Sequence, residues 1–422
     1  MKLTKTSQAL MSFFIENKCI NHSHPTKKTN LILKQLYNEL KMANAFVQKK
    51  KREDGPSFYK LNVTKMQSAS QIPKPQQFNS DSFPSEIRTQ IDTFISHDLS
   101  YTFSLYDREI TIHFLVEDKN PELSLALYNE YVDKILAWLY IINEYGTKRC
   151  AKKLTLYIYM TSMKKELPST NISILDQSNV NTAFTFTCPV VSEIVVFRKE
   201  EWLKVLMHET FHNFALDFSD MNMSSCTERI LSIFKVESEV NLFEAYTEFW
   251  AEIMNSVFCS FYLLQDKDNE EEFLSNCEFF INFERTYGFF QMVKTLNFMG
   301  LSYKDLYSKS EESRLLRETM YKEKSNVLAY YVITLVLMNN YQGFLSWCDT
   351  HNLSLLQFKK TNANLDEFCK FVEKNYKTKS MIQGVECMEK FLTVFKKSKT
   401  KKARENAELL LKNMRMSICE LG

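Results

Sequence analysis

Two histidines four residues apart, His208 and His212, flank a glutamate in the run EWLKVLMHETFHNF (residues 201–214). On an α-helix that spacing turns the two side chains about 40° around the axis and separates them by about 6 Å along it, so both imidazoles can point at one ion. Glu209 then lies beside the ion without binding it. There it can take a proton from water whose pKa a zinc ion lowers to about 7, and later deliver that proton to a leaving amine. The bland reading of the same residues is a core helix whose histidines bond to backbone carbonyls. The flanks argue for the metal. Val205, Leu206, Met207, Phe211 and Phe214 give the helix apolar faces, and Glu209 is the one carboxylate between Met207 and Leu216, with no lysine or arginine there. A buried ionisable cluster needs a compensating partner, which a divalent cation provides.

The third ligand must come from elsewhere, and the segment NLFEAYTEFWAEIMN (241–255) offers it. Glu244, Glu248 and Glu252 recur every four residues along a helix face otherwise flanked by Leu242, Phe243, Tyr246, Phe249, Trp250, Ile253 and Met254. Stacked like charges destabilise a helix, and no lysine or arginine stands four residues from Glu244 or Glu248 to relieve them. An ion shared with His208 and His212 relieves them. The competing reading is a solvated acidic face.

An HExxH followed by a separate helix bearing Glu-x-x-x-Asp/Glu resembles the gluzincin class of zinc metallopeptidases. More loosely, FRKEEWLKVLMHETFH with the later EAYTEFWAE is similar to the zincin-like metallopeptidases encoded by large nucleocytoplasmic DNA viruses. The resemblance covers roughly residues 195–255. It implies His208, His212 and Glu244 as zinc ligands, Glu209 as general base and acid, and Glu248 as the carboxylate behind a ligand histidine. It also implies an oxyanion donor after the third ligand, for which Tyr330 and Tyr331 in SNVLAYYVITLVL are the candidates and His351 a weaker one. The extended HExxHxxGxxH motif is absent, because Ala215 and Phe218 occupy its glycine and third-histidine positions. Asp217 and Glu248 stay open as alternative third ligands.

The elements that must position these residues are legible around them. LSYTFSLYDREITIHFLVED reads as two strands about the turn Tyr106–Glu109, and Glu122–Tyr145 as a long helix. KLTLYIYM (153–160), NTAFTFT (181–187) and EIVVF (193–197) read as strands, and Asn181–Thr187 is the expected edge strand for a polypeptide substrate to pair with. From Thr227 onward the pattern is almost entirely helical, with segments at 241–264, 270–297 and 327–338 and further amphipathic helices after Asn364. The expected fold is α+β. A partly helical leader (1–84) ending in a Pro-rich linker at 72–84 precedes a zincin-like core of small mixed sheet and active-site helix (85–265), and a mostly helical subdomain (266–422) follows.

Composition sets the outer limits. The chain's 422 residues are 45% hydrophobic, enough for a full core, and 53 basic against 51 acidic side chains select neither nucleic acid nor a membrane surface. Its seven glycines form no GxxxxGK[ST] or GxGxxG loop, which excludes nucleotide cofactors bound in that way. Ten cysteines without a CxxC pair point to a reduced setting, and the absence of a cleavable signal or a long apolar run points to a soluble cytoplasmic protein, in host cytoplasm or virion if viral. The basic runs 49–52 and 396–404 lack interleaved aromatics and read as solvated faces, and His22 with His24 lacks a third ligand. The expected function is hydrolysis of peptide bonds by a Zn2+ enzyme. The competing class is a non-catalytic protein that keeps a zincin fold and contacts nucleic acid through its basic segments.

Overall fold

The computed structural model describes residues 2–20, 22–55, 58–397 and 408–422, so most of the basic run 396–404 lies outside the described residues. Before the sheet begins, α1 (Lys5–Glu16) and α2 (Lys27–Asp54) are each opened by a threonine that caps the first turn, Thr4 and Thr26. Strand β1 (Lys60–Lys65) and helix α3 (Ser85–Phe94) lead to the hairpin β2 (His97–Leu105) and β3 (Arg108–Val116). Then come α4 (Leu125–Tyr145), β4 (Lys153–Met160), the short α5 (Gln177–Val180), β5 (Ala183–Thr185) and β6 (Val191–Val196).

The helical part follows with α6 (Trp202–Asn213), α7 (Ser224–Ile233), α8 (Leu242–Leu263), α9 (Glu270–Phe298), α10 (Tyr303–Tyr307) and α11 (Glu311–Met320). A π-helical segment, Leu328–Ile333, runs into α12 (Thr334–Asn339), and α13 (Tyr341–His351), α14 (Asn362–Asn375) and α15 (Lys379–Lys397) complete it. The fold is mixed α+β, and the described residues form one six-stranded sheet, order β1-β2-β3-β4-β6-β5. The pairs β3/β4 and β4/β6 are parallel and the others antiparallel, which leaves β5 at one edge.

The two-residue period of the strands divides their side chains between two cores. Phe114, Ile158, Ile194 and Val196 face the large core shared with α4 and α6, whereas Leu115, Tyr159, Val195 and Phe197 face a smaller one. That smaller core corrects the linker expected at 72–84. Ile72, Phe78 and Phe83 are buried there together with Ile87 and Ile91 of α3, so the Pro-rich stretch is a lid over the second face of the sheet. Leu33, Leu36 and Leu40 of α2 belong to the large core, and the helix lies against α4, α8 and α9. Its basic end is a charged face as expected, with Lys49–Glu53 at 3.6 Å and Lys50–Asp54 at 3.5 Å one turn apart, and Lys51 reaching Asp133 at 2.6 Å.

Against a uniformly reduced set of thiols, Cys150 and Cys188 are joined by a disulfide across 38 residues. It ties the loop before β4 to the loop before β6. Among the described residues no helix is long and apolar enough to cross a membrane.

Candidate metal centre

Helix α6 is buried along its whole length, so most of its polar groups depend on partners in neighbouring elements. Trp138 of α4 donates to Thr210 Oγ1 at 2.7 Å, and Asn213 donates to Thr185 Oγ1 on β5 at 2.8 Å. Glu201, just before the helix, holds a left-handed backbone (φ 60°), and its carboxylate accepts from the N–H groups of Met416 at 2.9 Å and Ser417 at 2.5 Å. The helix therefore enters and leaves on fixed partners, with the edge strand β5 alongside.

Helix α8 packs on α6, and the predicted ligands converge between them. His208 Nε2 lies 3.1 Å from His212 Nε2 and 3.0 Å from Glu244 Oε2, and His212 Nε2 lies 3.4 Å from that same oxygen. Ligands at zinc-bond length in a tetrahedron are about 3.3 Å apart, so the triangle fits one small cation. Electrostatics agree with geometry. Although burial opposes it, the two histidines hold Glu244 far below the ordinary carboxylate range. Burial likewise opposes the imidazolium forms, yet Glu244 and Glu248 lift His208 above its usual value, and Asp217 with Glu244 lifts His212 well above. The cluster calls for positive charge at the triangle, which a divalent cation could supply in place of protons.

Each imidazole has a carboxylate on its other nitrogen. Glu248 Oε2 lies 2.9 Å from His208 Nδ1, the place the family resemblance implied for it. Asp217, left open as a third ligand, instead bonds His212 Nδ1, and its second oxygen accepts from Ser219 N at 3.1 Å and Ser219 Oγ at 2.9 Å. Two such bonds set both rings with Nε2 toward the triangle. Glu252 is buried one turn beyond Glu248 and forms no ion pair among the described residues, and burial with Glu284 and Glu248 nearby pushes its pKa well up.

The relief of the acidic row comes partly from a residue that sequence reasoning missed. Lys204, buried one turn before His208, forms an ion pair with Glu248 Oε1. The signal was present as a lone lysine on an apolar helix, but its partner lies 44 residues on. Lys204→Ala is expected to lower stability by about 3–5 kcal/mol, because Glu248 would remain buried and half-paired. Urea denaturation of zinc-free protein checks this, and a change under about 1 kcal/mol would remove the pair as a stabilising contact.

Glu209 makes no hydrogen bond among the described residues, and burial pushes its carboxyl up to about 6 against the opposing pull of the two histidines. It lines a cavity of about 30 Å³ together with His208, Tyr330, Met416 and residues 180–183. The two candidate tyrosines are neighbours on the π-helical segment and point to different partners. Tyr330 donates its hydroxyl to Glu244 Oε2 at 2.9 Å, whereas Tyr331 points into the core and donates to the Met414 carbonyl at 2.7 Å. His351 is not brought to the site, for its ring stacks on Trp347 at 4.7 Å and its Nδ1 lies 3.0 Å from the Trp347 carbonyl. No family model, curated protein or solved structure matches the chain.

Proposed function

We propose that this chain is a zinc-dependent peptidase, with a zincin-like core and a gluzincin-like ligand set. One observation carries the reading: three donors from His208, His212 and Glu244 meet within 3.0–3.4 Å, with a carboxylate behind each ring and Glu209 nearby without a hydrogen bond among the described residues. Two imidazoles and one carboxylate make a donor set suited to zinc, and a three-ligand site keeps a position for water or substrate. A bound Zn2+ would lower the pKa of water to about 7 and polarise a carbonyl.

The remaining steps belong to the chain. Glu209 accepts the proton of the attacking water and carries it to the leaving amine, a role its raised pKa and lack of a partner leave it free to perform. Tyr330, whose hydroxyl already reaches the triangle, turns from Glu244 to donate to the developing oxyanion. Strand β5 pairs with β6 on one side, and among the described residues no strand pairs with its other side, where an extended substrate would add. Glu248 and Asp217 hold the two rings in the tautomer that leaves each Nε2 unprotonated.

A second reading has its own observation. The space at Glu209 measures only about 30 Å³, and so narrow a pocket favours a non-catalytic protein that keeps the metal site. Metal removal decides between the two. Purified protein is expected to carry one zinc per chain and to cleave members of a peptide library, to lose cleavage in chelator and to regain it with added zinc. One zinc per chain with no cleavage would establish the second reading, and no zinc at all would end both.

A further inference from the structure

A cleft of about 500 Å³ opens at the carboxyl ends of the parallel strands β4 and β6, between residues 161–164, residues 199–200 and the carboxyl-terminal segment. Crevices at that end of parallel strands are common ligand sites, and this volume suits a small organic molecule. It lies back to back with the metal cavity. The wall between them is a pair of extended segments, in which Met414 N donates to the Lys165 carbonyl at 2.9 Å and Leu167 N to that of Lys412 at 2.7 Å. Neighbouring side chains alternate across this wall: Lys164 and Arg415 line the outer cleft, Lys165 and Met416 the metal cavity.

The lining of the outer cleft includes a buried cation. Arg415 is 3% exposed, its Nε donates to the Ser417 carbonyl at 3.3 Å and its Nη2 to Glu420 Oε2 at 3.0 Å. Its Nη1 makes no hydrogen bond among the described residues. Lys164 and Lys199, both exposed at the cleft, form no ion pair among the described residues. The acidic groups of the lining are already engaged, since Glu420 also accepts from Glu201 N at 2.8 Å and Glu200 accepts from Lys165 N at 2.5 Å. The lining also has apolar groups, Leu127 and the rings of Tyr131 and Trp202, whose centroids lie 4.9 Å apart.

We propose that this cleft binds an amphipathic organic anion. Its carboxylate or phosphate head is held by Arg415 Nη1, Lys164 and Lys199, and its apolar body lies on Trp202 and Tyr131. The site is independent of the metal, so the proposal stands or falls apart from the peptidase reading.

Trp202 reports occupancy directly. Octanoate, octyl phosphate and octanol are titrated against tryptophan fluorescence in zinc-loaded and chelated protein, with calorimetry in parallel. The expected result is a saturable one-to-one response to an anion in both forms, with the tighter of octanoate and octyl phosphate identifying the headgroup. Replacing both exposed lysines, Lys164→Ser with Lys199→Ser, is expected to weaken binding by about tenfold or more. Trp202→Phe is expected to abolish the fluorescence change while calorimetry still registers binding. No saturable binding of either anion up to about 1 mM, equal binding of octanol, or undiminished binding by the double variant would overturn the proposal.

Discussion

Glu209→Gln is expected to lower peptide hydrolysis by about 10²- to 10⁴-fold while leaving zinc content at the wild-type level. Glutamine has the same shape, and Glu209 makes no hydrogen bond for it to lose among the described residues. It also removes a carboxylate that burial already penalises, so the fold has no reason to weaken. What the amide cannot do is accept the proton of water and return it to the leaving amine. Parallel metal analysis and cleavage assays on the two proteins test this. Undiminished cleavage would place the base elsewhere, and loss of zinc together with cleavage would make Glu209 part of the metal's support.

The largest effect on the metal is expected at Glu244. Glu244→Ala, like His208→Ala or His212→Ala, leaves two donors of three and should nearly abolish zinc binding. Glu248→Gln and Asp217→Asn should reduce affinity by about 10- to 100-fold and leave a site that can still be filled. The distinction rests on where the oxygens lie. Glu244 Oε2 is 3.0 and 3.4 Å from the two Nε2 atoms, whereas Glu248 Oε2 is 2.9 Å from Nδ1 on the far side of the His208 ring. Glutamine is used at position 248 because alanine there would also strand the buried Lys204. Zinc titration into metal-free protein against a competing chelator gives the order. A weak effect at Glu244 with a severe one at Glu248 would reverse their roles.

Much of this site was readable from local periodicity. The HExxH spacing places His208 and His212 on one helix face, the four-residue repeat places Glu244 and Glu248 on another, and a short run at 181–187 contains the edge strand β5. Asp217 was left ambiguous for a specific reason. The chain reverses after α6 at Ala215, whose left-handed φ of 57° closes the helix end with Leu216 N donating to the Phe211 carbonyl at 2.8 Å, and that reversal returns Asp217 to His212. Tyr330 and Tyr331 were indistinguishable until packing placed one against Glu244 and the other against the Met414 carbonyl.

The sequence by itself determined which residues have the chemistry for a metal centre, which faces of their helices carry them, and where the main strands run. Those properties follow from repeats of 3.6 and 2 residues, which act within a single element. Only the tertiary structure decided that Glu244 meets the Nε2 atoms, that Lys204 pairs with Glu248, that Cys150 joins Cys188, and that residues 72–84 cover a sheet face. Each of these depends on the register between elements distant in the chain. That register is set by the packing of large buried surfaces, which no local spacing records.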